Sequence, residues 1–382
     1  MSDPFAAAEA TVAEDILVQP GGDLETPSGP DGAPKKVTGR SPLALAFARL
    51  RRDRAAMISL GVIAIIILVA IFAPVFAWIT GHGPNTQYNT TGRTPLGQPV
   101  APNGTFWFGT DGNGRDILVR IAYGTRVSLE VGIGATAFTI VLGVVLGLLA
   151  GYFGGIIDTV IARLIDVVLA LPYLLFAVAV IAVIGHVTIW MLIVIIGSFG
   201  WASVARIIRG QVISLREKEF VEAARSLGAG NSRIMFIDLL PNVVAPAIVF
   251  STLLIPVSVV TEAALSFLGI GIQAPTADWG EMIDEASSMV GGDNFREWWF
   301  LLFPSLALLI TTLAFNILGD GVRDAFDPRS DRLIPMRRKR KSFVRRMFAI
   351  PGRRTVADAA QADTEAAFGP GDKTTLGGGI DK

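Results

Sequence analysis

Apolar residues in this chain gather into six long runs separated by polar segments. A bilayer core needs about 20 consecutive apolar residues per helix, and such runs lie at about 57–79, 128–151, 164–184, 187–205, 243–269 and 298–318. The first holds no charged residue. Glu130 stands near the start of the second, and the third carries Asp166 and Pro172. The fifth carries Pro246, Pro256 and Glu262, and the sixth Pro304. Only Gly185-His186 separates the third run from the fourth. In hydrocarbon every backbone N–H and C=O needs a partner inside its own segment, so these runs predict helices. The fold class read from the pattern is an all-α integral membrane protein with six transmembrane helices.

Composition agrees with that pattern. The chain is 51% hydrophobic and 17% charged, against about 25% charge in a soluble domain. With no cysteine, disulfides, thiolate catalysis and Cys-built zinc or iron–sulfur sites are excluded. Two histidines, His82 and His186, are too few for a histidine-rich metal centre. The first 40 residues are polar, and the first apolar run starts too late for a cleavable leader.

The formal charges cancel, 33 basic against 33 acidic, but their placement does not. Segments 41–56, 151–163, 206–242 and 321–346 together carry 21 Lys and Arg, while 80–127 and 271–297 carry 5. Basic residues mark the cytoplasmic side, so both termini are expected in the cytoplasm. Arg93, Arg115, Arg120 and Arg126 run against the trend, and the last three are expected on a helix lying along the membrane surface. Residues 1–40 (net −4) and 355–382 are polar and acidic. Both are expected to be disordered tails. Residues 321–354 are net +9, which favours anionic lipid headgroups by about 1 kcal/mol per basic residue; a stop-transfer cluster that merely fixes topology is the alternative. The layout expected is a disordered tail at 1–40, a transmembrane domain at 41–335, and a basic then disordered tail at 336–382. No nucleic-acid partner is expected.

The 206–242 segment reads as two short helices. Residues 212–227 form the first, Gly228 terminates it in a left-handed turn, Asn231 or Ser232 caps the second, and Pro241 limits it. Gly143, Gly147, Gly151 and Gly155 recur every four residues, a small-residue stripe suited to close helix contact. Arg163 and Asp166, three apart, are placed to pair on one face. Glu262 is costly in an apolar run. It either lines a path or a subunit contact, or it touches headgroups at the outer end.

These residues resemble a known family. Glu222-Ala223-Ala224, then Gly228, then Leu240-Pro241 is similar to the EAA loop of bacterial ABC-importer permeases, whose fold is the type I importer architecture. Gly109-Thr110-Asp111, Gly114-Arg115-Asp116, the run Thr261-Glu262-Ala263-Ala264-Leu265-Ser266-Phe267-Leu268-Gly269 and Trp279-Gly280 resemble the C-type membrane subunit of dipeptide and oligopeptide importers. So does the end, with Asn316, Gly319-Asp320, Arg323-Asp324 and Asp327-Pro328-Arg329. The likeness spans about residues 45–335. It implies that Glu222, Ala223, Ala224, Gly228, Leu240 and Pro241 dock on a cytoplasmic ATPase, and that the 109–116 signature shapes the outer mouth. Asp238 departs from the pattern, where an aliphatic residue or His is usual. The resemblance also implies partners: a second related permease, two ATPase subunits or domains, an extracytoplasmic peptide-binding protein, and the lipid membrane. No phosphate loop G-x-x-x-x-G-K-[ST] is present, nor any nucleophile or zinc motif. The chain is therefore read as a transport subunit that binds no cofactor itself, with ATP and Mg on partner subunits. An ion-gradient-driven secondary transporter is the alternative; it needs intramembrane acids and inverted repeats, and only Glu262 qualifies.

Overall fold

The computed structural model describes residues 42–290 and 297–327. The expectations for both tails and for the basic stretch beyond residue 327 lie outside the described residues. The chain divides after Arg49; the N-terminal unit contributes the short helix α1 (Pro42–Leu50), and the rest concerns the second unit.

Helix α2 (Arg54–Ile71) starts where Asp53 accepts from the Ala55 and Ala56 amides. It gives way to α3 (Ala73–Thr80). After the 81–116 segment comes α4 (Ile117–Phe153), 37 residues long and so about 55 Å. Asp116 caps it by accepting from the Leu118 and Val119 amides, which begins the helix well before the apolar run at 128. Arg120 and Arg126 therefore ride on the first turns of a spanning helix, and Arg115 sits in the loop before it. The expected membrane-surface helix is not formed.

The third apolar run is broken. Helices α5 (Gly155–Ala170) and α6 (Tyr173–Ile184) meet at 88°. Pro172 has no N–H and disfavours the helical region for its predecessor; Leu171 is extended here (φ −79, ψ 133). Thr188 then caps α7 (Ile189–Arg216), followed by α8 (Glu219–Ser226), α9 (Asn231–Phe267), α10 (Trp279–Val290) and α11 (Trp298–Phe326). Among the described residues five helices, α2, α4, α7, α9 and α11, are long and apolar enough to cross a bilayer, and the α5–α6 pair makes a sixth if counted as one broken span.

Helices α4 and α7 pair along their length, and the glycine stripe explains why. A Cβ on Gly143 would stand 2.6 Å from Val204 Cβ, on Gly147 2.7 Å from the Ala205 carbonyl, and on Gly151 2.7 Å from Val212 Cβ. Gly155 meets nothing and falls outside the stripe. Helix α9 packs on α4 and α11, α2 closes on α11 and α4, and α10 lies across α9 and α11. Asp158 pairs with Arg209 and Asp166 with Arg206 (2.8 Å), tying α5 to α7. The expected Arg163–Asp166 contact is long, 3.8 Å, and solvent-facing.

Candidate functional site

Two polar structures stand at opposite ends of α4. At its C-terminal end is a knob built from α8 and the start of α9. The expected single helix over 212–227 is interrupted at Glu217-Lys218, where Lys218 is extended (φ −84, ψ 148). Nine residues of unbroken helix would set Val221 about 180° from Val212. The break instead lets both be fully buried in one cluster with Ile208, Ile234 and Leu239. Helix α8 closes with Gly228 at φ +82. The Gly228 amide donates to Arg225 O (2.9 Å) and the Ala229 amide to Ala224 O (3.0 Å), the paired bonds of a Schellman turn.

The second helix of the knob is not separate. Gly230, not Asn231 or Ser232, occupies the cap position, and no side chain caps it. Residues Ile234–Leu239 form a π-turn, and the helix runs through Pro241 into the span. Two bonds carry it across: the Leu240 amide reaches Met235 O, five residues back, and the Asn242 side-chain amide donates to Asp238 O at 2.7 Å. Asn231 serves another purpose: its Oδ1 accepts from the Tyr152 hydroxyl at 2.8 Å. The Arg225 guanidinium lies over the same ring at 5.7 Å, and Arg216 donates to Tyr152 O. The knob is thereby fastened to the last turn of α4. Facing outward from it are Glu222, Ala223, Leu227 and Gly228, with Leu240 half-buried and Pro241 exposed.

At the N-terminal end of α4 the signature loop is folded inward. Thr110, Asp111 and Asp116 are fully buried and Arg115 is 3% exposed, so the signature forms an interior network. Gly109 (φ +77) and Gly114 (φ +74) make the turns, and Asp111 Oδ1 accepts from the Asn113 and Arg115 amides. Arg115 Nε lies 2.5 Å from Asp111 and its Nη2 2.6 Å from Glu285. Arg120, 0% exposed, reaches Glu281 at 2.7 Å and Asp111 at 3.4 Å. His82 Nδ1 meets Asp116 at 2.7 Å and stacks on Phe106. Thr110 Oγ1 donates to Gly92 O. Burial raises the pKa of Glu281 above its ordinary value despite Arg120. Burial, then the Asp111 carboxylate, push Glu285 up to about 7 against the pull of Arg115.

Glu262 faces neither a path nor headgroups. It is 0% exposed, turned into the subunit's own interior. Ser266 Oγ donates to it at 3.0 Å, and Ser128 Oγ lies 3.1 Å from Glu262 and 3.2 Å from Asp278. A hydroxyl has one hydrogen, so Ser128 donates to one of the two carboxyl groups at a time. The other Asp278 oxygen accepts from the Glu281 amide, at the start of α10. The trio thus joins α4, α9 and α10. Reading the sequence singles out Asp111, Arg115 and Asp116 but misses His82, Arg120, Ser128, Asp278, Glu281 and Glu285. One signal was available: the arginines that defy the charge rule at 115 and 120 are complementary to the acidic 271–297 segment, net −5. Among the described residues no group of three His, Asp or Glu is arranged to hold a metal.

Comparison with known proteins places this architecture. A dipeptide transport system permease protein of Alkalihalophilus pseudofirmus is 40% identical over 311 residues, 80% of this chain and 96% of the relative. Residues 143–332 match the family model described as binding-protein-dependent transport system inner membrane component. The chain belongs to this family. Residues 41–96 of this permease also match the N-terminal TM domain of oligopeptide transport permease C. An oligopeptide transport system permease protein of Bacillus subtilis is 38% identical over 284 residues, covering 74% of this chain and 88% of its own. A glutathione transport system permease protein of Pectobacterium atrosepticum is 43% identical over 229 residues, 60% and 74% respectively. As an ABC importer permease, the chain is a multi-pass membrane protein and a transport component rather than an enzyme. Nothing in the comparisons favours an ion-driven carrier.

Proposed function

We propose that this permease forms one half of the pathway by which an importer carries peptides across the bacterial inner membrane, both termini being cytoplasmic. A second related permease completes the pathway. Two ATPase subunits or domains, holding ATP and Mg, dock on the knob, and an extracytoplasmic binding protein delivers peptide to the face formed by the 81–116 segment and α10. The names of the relatives support the peptide cargo. The observation that carries the coupling role is the knob itself. Its inner face is fixed to α4 through Tyr152, while Glu222 and Ala223 are exposed at its tip. Small side chains allow close approach, and Glu222 offers a carboxylate to a basic partner groove. ATP binding draws two knobs together, and the helices that begin in them shift between two packings, a population shift driven by differential binding.

At Asp238 it is the main-chain carbonyl that accepts from Asn242, a role independent of the side chain. Co-purification with the ATPases from membranes tests the docking. Glu222→Lys reverses the docking charge, and Gly228→Pro cannot adopt φ +82; both are expected to abolish ATPase capture while the subunit still inserts. Retained capture and transport in both variants would remove the knob from the coupling path.

A further inference from the structure

Beside the break between α5 and α6 there is a cavity of about 310 Å³. Leu171 and Tyr173 line it from the break, Thr139 from α4, Ser203 from α7, and Ser258 and Thr261 from α9. Each helix contributes interior turns, so the cavity lies within the spanning part of the bundle. Unwound backbone and polar groups at that depth persist where they are buried in protein or face a wet cavity.

The hydroxyls there differ from several on the same helices. Thr125, Thr311 and Thr312 close onto the carbonyl one turn back, at 2.8, 2.7 and 2.9 Å. On the cavity wall, Thr139 donates to Gly197 O, and Ser258 meets Thr136 at 3.2 Å. Tyr173 does neither. Its buried oxygen lies beside the Thr261 hydroxyl, without a well-formed hydrogen bond among the described residues. A buried hydroxyl so weakly partnered costs up to about 1–3 kcal/mol, part of which a bound ligand would recover. Ser203 is open to the same space. No charged residue lines the cavity, and Phe199 and Val257 supply apolar wall. A hydroxyl both donates and accepts, so this lining suits a neutral chain bearing both N–H and C=O groups. The volume falls at the lower end of the roughly 300–1,000 Å³ typical of ligand sites.

We propose that this cavity is a substrate subsite of the transport path, holding a stretch of peptide amide backbone through Tyr173, Ser203 and Thr261 during passage. The inference rests on the peptide-importer reading above. It places recognition inside the membrane on uncharged groups, so that side-chain charge is left to be read elsewhere.

The test uses the complete importer, both permeases with ATPases and binding protein, reconstituted in liposomes. Uptake of labelled peptides of two to five residues and ATP hydrolysis are measured together. Tyr173→Phe removes only the hydroxyl, and Thr261→Val is nearly isosteric. Each is expected to lower peptide imported per ATP about three- to tenfold, the scale of one lost hydrogen bond. Hydrolysis stimulated by the loaded binding protein should stay within about twofold of wild type. Ser203→Trp, which fills the space, should stop uptake, and Thr311→Val, remote from it, should change neither quantity. Wild-type uptake per ATP in Tyr173→Phe, Thr261→Val and Ser203→Trp would overturn the subsite alone. So would parallel loss of hydrolysis and uptake in all three, which marks a structural role. A wild-type importer that takes up none of these peptides overturns the peptide-importer reading, and the subsite with it.

Discussion

Glu285 holds Arg115 at 2.6 Å, yet burial and the nearby Asp111 carboxylate keep its pKa up at about 7. An unfolded or undocked glutamate releases its proton near the ordinary value of 4.5. Between those two values the undocked state binds fewer protons than the docked one, so stability falls as pH rises. The contribution is complete below about 4.5 and is lost as pH passes about 7. Thermal unfolding of the purified complex should therefore show a midpoint that drops between pH 5 and pH 8. Glu285→Gln, which cannot ionise, should flatten that slope; equal slopes in the two proteins would show that Glu285 does not set it. This site was only half legible in the sequence. Asp111, Arg115 and Asp116 stand out because they cluster within six positions. Glu281 and Glu285 lie some 170 positions away, and only the fold of α10 over α9 brings them to the arginines. Burial too was invisible: a charged loop between apolar runs reads as surface until a neighbouring helix is seen to cover it.

At the scale of elements, backbone proximity between α4 and α7 governs what can be substituted. Gly147→Val would thrust two methyl groups into the Ala205 carbonyl and the Ile208 side chain, where even a Cβ stands 2.7 and 2.8 Å away. Overpacking of this kind costs about 1–3 kcal/mol or more, because two backbones, not a flexible side chain, must part. Gly210→Ala supplies the comparison, since a Cβ there meets nothing within 4 Å and alanine favours a helix by up to about 1 kcal/mol. Expression level and thermal midpoint should fall for Gly147→Val and hold or rise for Gly210→Ala; a well-tolerated Gly147→Val would mean that close contact between the two helices does not limit substitution there. The four-residue glycine period was legible as a contact stripe, but its partner helix was not, because spacing names a face and never what covers it. Proline was informative in the opposite way. Pro172 marks a real break, whereas Pro241 sits inside a continuous helix, since a preceding π-turn and Asn242 adjust the local bonding. The residue type alone could not separate these cases. Helix ends extended beyond the apolar runs for a related reason: hydropathy reports the part that suits lipid, while caps such as Asp116 set where the helix begins.

For the whole molecule, α4 is the element that reaches both polar structures. Its first turns hold Arg120 against Asp111 and Glu281, and its last turn holds Tyr152 against Asn231 in the knob. A displacement at one end of a helix of about 55 Å is carried to the other, since its side against α7 is close-packed by the glycine stripe. That geometry serves a permease only if the two ends face opposite compartments, which makes orientation the deciding property. Counting basic residues predicts a cytoplasmic knob. The arginines that weaken this count are absorbed at 115 and 120 by Asp111, Glu281 and Glu285, leaving them as structural partners rather than topology signals. The chain has no cysteine, so single introduced thiols report position without a background. Thr105 is exposed in the 81–116 segment and Ser226 is exposed at the end of α8. A membrane-impermeant maleimide applied to spheroplasts should label Thr105→Cys at once and Ser226→Cys only after the membrane is permeabilised. Labelling of both before permeabilisation would place the two ends on one side and break the mechanical argument. The inverse pattern would put the knob outside and separate it from any ATPase.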